Sequence, residues 1–216
     1  GVRISEGFGM SETGSNFAMP AHDLATLLRK AGSCGLPLLT VETNIVDEDC
    51  NEVPTGERGE LWVRGPSVAM GYWNQPELSA KAFIDGGWFV TGDAAMVDQD
   101  GFFYIVDRKK DMYISGGENV YPAEVEAALA ELHEIGECAV VGVPNDRWGE
   151  VGRAYVIPVP GKSITAEEVI AHCAARLAKF KVPQSAVITD VIPRTASGKV
   201  QKHILRARAI EELGLS

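Results

Sequence analysis

Asp107-Arg108-Lys109-Lys110-Asp111-Met112-Tyr113-Ile114-Ser115-Gly116-Gly117-Glu118-Asn119-Val120-Tyr121-Pro122-Ala123-Glu124-Val125-Glu126 decides how this chain is read. It sets a charged basic turn, a short apolar strand, a double-glycine loop and a proline-started acidic helix in immediate succession. Pro122 suits the first turn of a helix, where its missing N–H costs nothing, and Val125, Leu129 and Leu132 then share one face. The pattern changes across this stretch, so a boundary is expected near 106–111, giving domains 1–107 and 108–216. Upstream, residues 43–46, 59–65, 88–90 and 102–106 are short strand candidates divided by Asp/Gly turns, and residues 23–31 allow a short helix. This predicts a small antiparallel, barrel-like β subdomain. Downstream, residues 138–143, 154–159 and 187–192 read as three strands. Thr165-Ala166-Glu167-Glu168 is a capping box, with Val169, Cys173 and Leu177 facing inward. Residues 201–213 form a closing helix that Gly214 can cap. The fold class is therefore mixed α/β: the β subdomain, then a compact α/β domain with a three-stranded sheet and helices.

The 216 residues carry a net charge of −10, unevenly placed. Residues 1–107 hold 6 basic and 16 acidic side chains and residues 108–216 hold 14 of each; within 176–208, eight basic residues face the single acid Asp190. A basic face on an acidic protein suits a phosphorylated small molecule, and a solvated helix face is the plainer alternative. No basic run interleaved with aromatics appears, so nucleic acid is not an expected partner. No apolar run approaches a membrane span and no leader pattern is seen. Cys34, Cys50, Cys138 and Cys173 are widely spaced without C-x-x-C, as expected of reduced, buried or half-buried thiols in a cytoplasmic protein.

Four other segments carry chemistry. In Gly7-Phe8-Gly9-Met10-Ser11-Glu12-Thr13-Gly14, glycines around an aromatic let backbone pass close to a flat ring; a glycine turn is the plainer reading. Gly56-Glu57-Arg58-Gly59-Glu60-Leu61 opens a strand. Asp93, in Thr91-Gly92-Asp93, is a carboxylate of the kind that accepts from vicinal hydroxyls, or a turn residue after Gly92. In Pro193-Arg194-Thr195-Ala196-Ser197-Gly198-Lys199 the lysine does not end a P-loop, because Pro193 and Val200 stand where Gly and Ser/Thr are needed. A lysine at a helix start is electrostatically poor, which hints at a functional role.

This ordered set, from Gly7 to about Arg206, resembles the adenylate-forming superfamily of acyl-CoA synthetases, luciferase-type enzymes and peptide-synthetase adenylation domains. The resemblance implies that Phe8 and Gly9 lie near adenine, that Ser11 (more often Thr in the family) lies near the α-phosphate, and that Glu12 helps hold Mg²⁺. It implies that Asp93 binds the ribose with help from Arg108, and that Lys110 is a hinge about which the C-terminal domain swings. One orientation would offer Lys199 for adenylation. The other would offer the Gly116-Gly117-Glu118 loop for thioester formation, with Trp148 lining the pantetheine path of coenzyme A and Phe180 stacking on its adenine. For Trp148 and Phe180 a core aromatic is the plainer alternative.

The implied activity is AMP-forming acid–CoA ligation with ATP, Mg²⁺ and coenzyme A, acting on a fatty or aryl acid. The family's Ser/Thr/Gly-rich loop ending near Pro-Lys-Gly, which grips the β- and γ-phosphates, is not among these residues. The chain is therefore expected to be the C-terminal part of a longer enzyme, inactive alone and self-associating through uncovered apolar surface. The competing readings are an amino-acid adenylation domain feeding a carrier protein, a luciferase-type oxidation, and a non-catalytic nucleotide- or coenzyme A-binding module.

Overall fold

A computed structural model describes residues 6–20 and 23–215, in two compact units, residues 1–109 and 110–216. The first unit opens with β1 (Gly7–Met10), β2 (Gly14–Ala18), helix α1 (Leu24–Arg29) and β3 (Leu36–Pro37), the three strands forming an antiparallel sheet. Then come β4 (Glu42–Val46), β5 (Gly59–Arg64), helix α2 (Pro76–Ala82), β6 (Phe83–Ile84), β7 (Trp88–Val97) and β8 (Phe103–Arg108). They build a five-stranded antiparallel sheet in the order β4-β5-β7, with β6 and β8 sharing the other edge of β7. The expected antiparallel sheet is present, but no closed barrel forms among the described residues, because β4 pairs with β5 alone. Phe17, Ile45, Leu61, Val63, Ala95 and Phe103 make the core, and the Phe17 and Phe103 rings, 4.8 Å apart, join the two sheets.

The second unit runs β9 (Tyr113–Ser115), β10 (Glu118–Val120), α3 (Pro122–Leu129), β11 (Ile135–Asn145), β12 (Gly149–Pro158), α4 (Ala166–Ala174), β13 (Ser185–Ile188) and α5 (Lys202–Leu213). Two of the three expected strands are β11 and β12; the third, expected over 187–192, is β13, which lies earlier and ends at Ile188. The β9–β10 hairpin joins them through the pair Ser115–Gly149 to make five. Side chains alternate across the sheet. Val140 packs with Tyr113, Val125, Leu129, Val169 and Cys173 under α3 and α4. Its neighbours Ala139 and Val141 pack with Tyr155, Leu205 and Ala209 under α5. Thr165 caps α4 as a full capping box, and Gly214, at φ 64°, ends α5. No helix among the described residues is long and apolar enough to cross a membrane.

The cysteines are all free. Burial raises the Cys34 and Cys173 thiols to about 11 and Cys138 to about 12. Cys50 departs from the expectation: it is exposed, in the Asp47–Asn51 turn, at φ 62°.

A buried lysine holds the C-terminal end of α1 to the β7–β8 turn. Lys30 Nζ lies 2.7 Å from Asp98 Oδ2 and 2.6 Å from Asp100 Oδ2, and over the Phe102 ring. Asp100 and Asp98 hold the Lys30 ammonium above its ordinary value. Burial alone would raise Asp98, but Lys30, the Phe102 and Asp100 N–H groups and the Tyr104 hydroxyl outweigh it, and its carboxyl lies below the usual range. A depressed carboxyl contributes stability above its unfolded value near 3.8, lost as pH falls through the folded value. A raised ammonium contributes below 10.5, lost as pH rises past it. Asp98→Asn should therefore lower the melting temperature at pH 7, with the gap to wild type closing below about pH 4. Thermal unfolding from pH 3 to 8 checks this.

Candidate functional site

In the first unit the candidate residues gather on a hairpin and a bulge. β1 and β2 are joined by Ser11-Glu12-Thr13, with Thr13 N–H donating to Met10 O at 3.2 Å and Gly14 at φ 65°, the form of a three-residue hairpin loop. Glycine is needed at position 9 because a Cβ there would lie 2.4 Å from the Gly14 carbonyl oxygen. The partner strand therefore accounts for the glycine spacing without a ligand ring. Phe8 is half-buried, 6.0 Å ring-to-ring from Phe17. Ser11 is exposed and Glu12 half-exposed at the turn tip. Beneath it lies a buried pair absent from the sequence reading: Asn16 Nδ2 donates to Thr13 Oγ1 at 2.7 Å.

Asp93 sits within β7, not in a turn. Glu60 pairs with Ala94 and Trp62 with Val90, so Thr91, Gly92 and Asp93 all stand opposite Leu61. This is a bulge, with Gly92 at φ 72°. Thr91 Oγ1 donates to Leu61 O at 2.7 Å and accepts from Asp93 N–H at 3.1 Å, replacing lost ladder bonds. Bulges of this kind re-aim side chains. Here Asp93, 1% exposed, meets its cross-strand neighbour Arg108, Nε to Oδ1 2.6 Å. Glu12 Oε1 accepts from Tyr72 Oη at 3.0 Å, a contact across 60 residues that no sequence spacing announces. Among the described residues no three His, Cys, Asp or Glu side chains cluster as a metal cage. A single half-exposed carboxylate such as Glu12 would be compatible with Mg²⁺ held mainly by phosphate oxygens and water.

Lys110 lies in the 3-10 turn Lys109–Asp111, where the two units divide. In the second unit Gly116 and Gly117 have φ 64° and 87° and turn the β9–β10 hairpin, with Glu118 exposed beside them. Gly116 N–H donates to Trp148 O at 2.8 Å, and a Cβ on Gly116 would stand 2.8 Å from Trp148 Cε3. Trp148 and Phe180 both border one groove of about 570 Å³, with Ser115, Val151, Leu177 and Pro183 among its walls. Lys199 is exposed in a tight turn. Its backbone N–H donates to Thr195 Oγ1 at 3.1 Å, and its carbonyl accepts from Thr195 N–H at 2.8 Å. α5 starts at Lys202, so Lys199 precedes the helix.

The basic stretch 176–208 is not a bare cationic face. Arg176, Lys181, Arg194, Lys202, Arg206 and Arg208 pair with Glu131, Glu124, Glu137, Glu126, Glu150 and Glu212. Lys179 and Lys199 have no ion pair among the described residues, and Lys179 borders the groove.

Two family models match the chain: the AMP-binding enzyme over residues 1–73 and the AMP-binding enzyme C-terminal domain over 124–199. A feruloyl-CoA synthase of Amycolatopsis sp is 46% identical over 208 residues, 96% of this chain and 42% of that protein. The ATP-bound structure of MatB from Rhodopseudomonas palustris is 36% identical with a TM-score of 0.88, over 97% of this chain and 41% of that one. The Bacillus subtilis o-succinylbenzoate CoA synthetase with its acyl-adenylate intermediate is 36% identical with a TM-score of 0.86, over 94% and 41%. The chain thus spans about two fifths of the length of these relatives.

Gly116→Ala and Gly117→Ala both force a left-handed alanine, costing roughly 1–2 kcal/mol. Only position 116 also meets Trp148, since nothing lies within 4 Å of a Cβ at 117. Urea unfolding should show the larger loss for Gly116→Ala, together with altered tryptophan fluorescence.

Proposed function

The chain belongs to the adenylate-forming family of AMP-binding enzymes, and we propose on that premise that it is the C-terminal part of an AMP-forming acid–CoA ligase. The observation that carries this reading is the distribution of charge. Six of eight cations between 176 and 208 are held in ion pairs. The two left over are Lys199, matched to the family's adenylating lysine, and Lys179, beside the groove bordered by Trp148 and Phe180. An aryl or fatty acid is the proposed substrate, an aryl acid being favoured by the likeness to feruloyl-CoA synthase, and the cytoplasm the proposed location.

In the first step a carboxylate oxygen of the acid bonds to the α-phosphorus of ATP, the bond to the β-phosphate bridging oxygen breaks, and pyrophosphate leaves. Asp93 would accept the ribose hydroxyls, with Arg108 fixing its carboxylate. Phe8 and Gly9 would border adenine, Ser11 would donate to the α-phosphate, and Glu12 would hold the Mg²⁺ that offsets phosphate charge. Lys199 would place its ammonium between the carboxylate and the α-phosphate, where negative charge gathers. A swing of residues 110–216 about Lys110 would then replace Lys199 with the Gly116-Gly117-Glu118 loop. The thiolate of coenzyme A attacks the acyl carbon and AMP departs. The pantetheine arm would pass Gly116 and Trp148, and Phe180 and Lys179 would receive the nucleotide end. The loop for the β- and γ-phosphates falls, on this reading, in the part of the relatives that this chain does not span.

Mass spectrometry of AMP and acyl-CoA, with Mg·ATP, coenzyme A and a panel of hydroxycinnamic and fatty acids, tests the proposal. The longer polypeptide carrying this chain should form acyl-CoA, and this chain alone should not. Lys199→Ala should slow adenylation by about 10²–10³-fold while sparing thioester formation from supplied acyl-AMP. Absence of AMP from the longer polypeptide with every acid, or an unaffected Lys199→Ala variant, would overturn it. On the same reading the exposed Leu39, Met70 and Trp73 are covered in the longer protein. Light scattering should find the chain alone self-associated.

A further inference from the structure

The carboxylate of Glu12 is held from a direction the hairpin itself does not supply. The segment from Ala69 to Tyr72 crosses the Ser11–Thr13 turn and grips Glu12 twice: Ala69 N–H donates to the Glu12 carbonyl at 2.8 Å, and Tyr72 Oη donates to its Oε1 at 3.0 Å. The strap is itself fixed. Tyr72 N–H donates to Ser79 Oγ at 2.8 Å, and Ser79 Oγ donates to Gln75 O at 2.8 Å, which ties the strap to α2. Gly71, at φ 153°, lies close enough that a Cβ would come within 3.1 Å of Ser79 Oγ. The Tyr72 ring meets Phe83 edge-on at 5.4 Å, and Phe83 packs on Phe89 of β7 at 4.8 Å. A path of packed rings thus runs from the central strand to the carboxylate.

We propose that Tyr72 is a positioning residue that sets the orientation of the Glu12 carboxylate toward the cation accompanying the nucleotide. The inference rests on the ligase reading of the site and extends it to a residue outside the resemblance. The Tyr72 hydroxyl donates to Oε1. With one oxygen engaged, the carboxylate keeps Oε2 for a cation, and its rotation about the terminal torsion is restricted. A carboxylate on a hairpin tip would otherwise turn freely, and the ordering cost would fall at the moment of binding. A partner that orients a metal-binding carboxylate is typically worth roughly 10- to 100-fold in metal affinity.

The test uses the longer polypeptide carrying this chain, with Mn²⁺ as probe, a non-hydrolysable ATP analogue and electron paramagnetic resonance to read bound metal. Tyr72→Phe keeps the ring contact with Phe83 and removes only the hydroxyl. Tyr104→Phe removes a similar tyrosine–carboxylate bond, to Asp98, and serves as the control. Tyr72→Phe should weaken nucleotide-dependent Mn²⁺ binding about tenfold or more and raise the Mg²⁺ needed for half-maximal adenylation in proportion. Tyr104→Phe should do neither. Glu12→Asp, which withdraws the carboxylate from Tyr72 without disturbing the rings, should weaken binding similarly, and adding Tyr72→Phe to it should cost little more. Mn²⁺ affinity in Tyr72→Phe no lower than in Tyr104→Phe, while wild type still forms acyl-AMP, would overturn this inference and leave the ligase reading standing. A wild type with neither nucleotide-dependent Mn²⁺ binding nor acyl-AMP would overturn both.

Discussion

The bulge on β7 is the constraint on which the first unit depends. Three residues, Thr91, Gly92 and Asp93, stand opposite the one residue Leu61, so the ladder must break there. Glycine reaches φ 72° without the local strain a side chain would add. The Thr91 hydroxyl fills the gap by bonding Leu61 O and receiving the Asp93 N–H. The sheet on either side keeps its register, and Asp93 arrives opposite Arg108. An unpaired carboxylate buried to this degree would be costly; the cross-strand guanidinium at 2.6 Å offsets that cost. The motif Thr-Gly-Asp is thus one physical unit: a plug, a left-handed hinge in the strand and the carboxylate that they aim.

A steric constraint of another kind shapes the second unit. Gly142 on β11 and Gly152 on β12 are cross-strand partners, and both lie against Tyr113. A Cβ at 142 would fall 2.3 Å from the Tyr113 Cβ, and one at 152 would fall 2.4 Å from its hydroxyl. The glycine pair makes a shallow seat for the tyrosine ring, and the ring anchors the β9–β10 hairpin. That anchor holds Ser115 against Gly149 and the Gly116 backbone against the Trp148 carbonyl. The groove wall and the double-glycine turn therefore depend on one aromatic packed on two bare backbones.

What could be read from the sequence was local. The Thr165 capping box, Gly214 beyond α5 and Pro122 at the start of α3 are signals confined to a few residues, and each appears where its chemistry requires. The strands β4, β5, β11 and β12 followed from apolar content and turns. The β1–β3 sheet and α2 were not foreseen. Glycine-rich β1 has no apolar alternation, and α2 buries none of its residues. A turn was the plainer alternative for Asp93 because a glycine before an aspartate ordinarily marks one; only the opposing strand makes it a bulge. The Tyr72–Glu12 bond and the Thr13–Asn16 pair were invisible for the same reason, since neither has a spacing rule.

Charge shows where such reading fails and what the failure teaches. Counted along the chain, residues 176–208 carry eight cations against one acid, which looks like a surface made for phosphate. Folding brings six glutamates, none within that stretch, to six of those cations. Most of these pairs are partly exposed, and such pairs add little to stability individually. Their effect is on specificity: they cancel a field that would attract any anion, and leave Lys199 and Lys179 as the cations without a partner among the described residues. A lysine in a solvated turn keeps its mobility and its full charge for an incoming group, which a lysine already in an ion pair could offer only by breaking that pair. The pairing therefore does more than the count to leave the cationic chemistry of residues 176–208 at two positions.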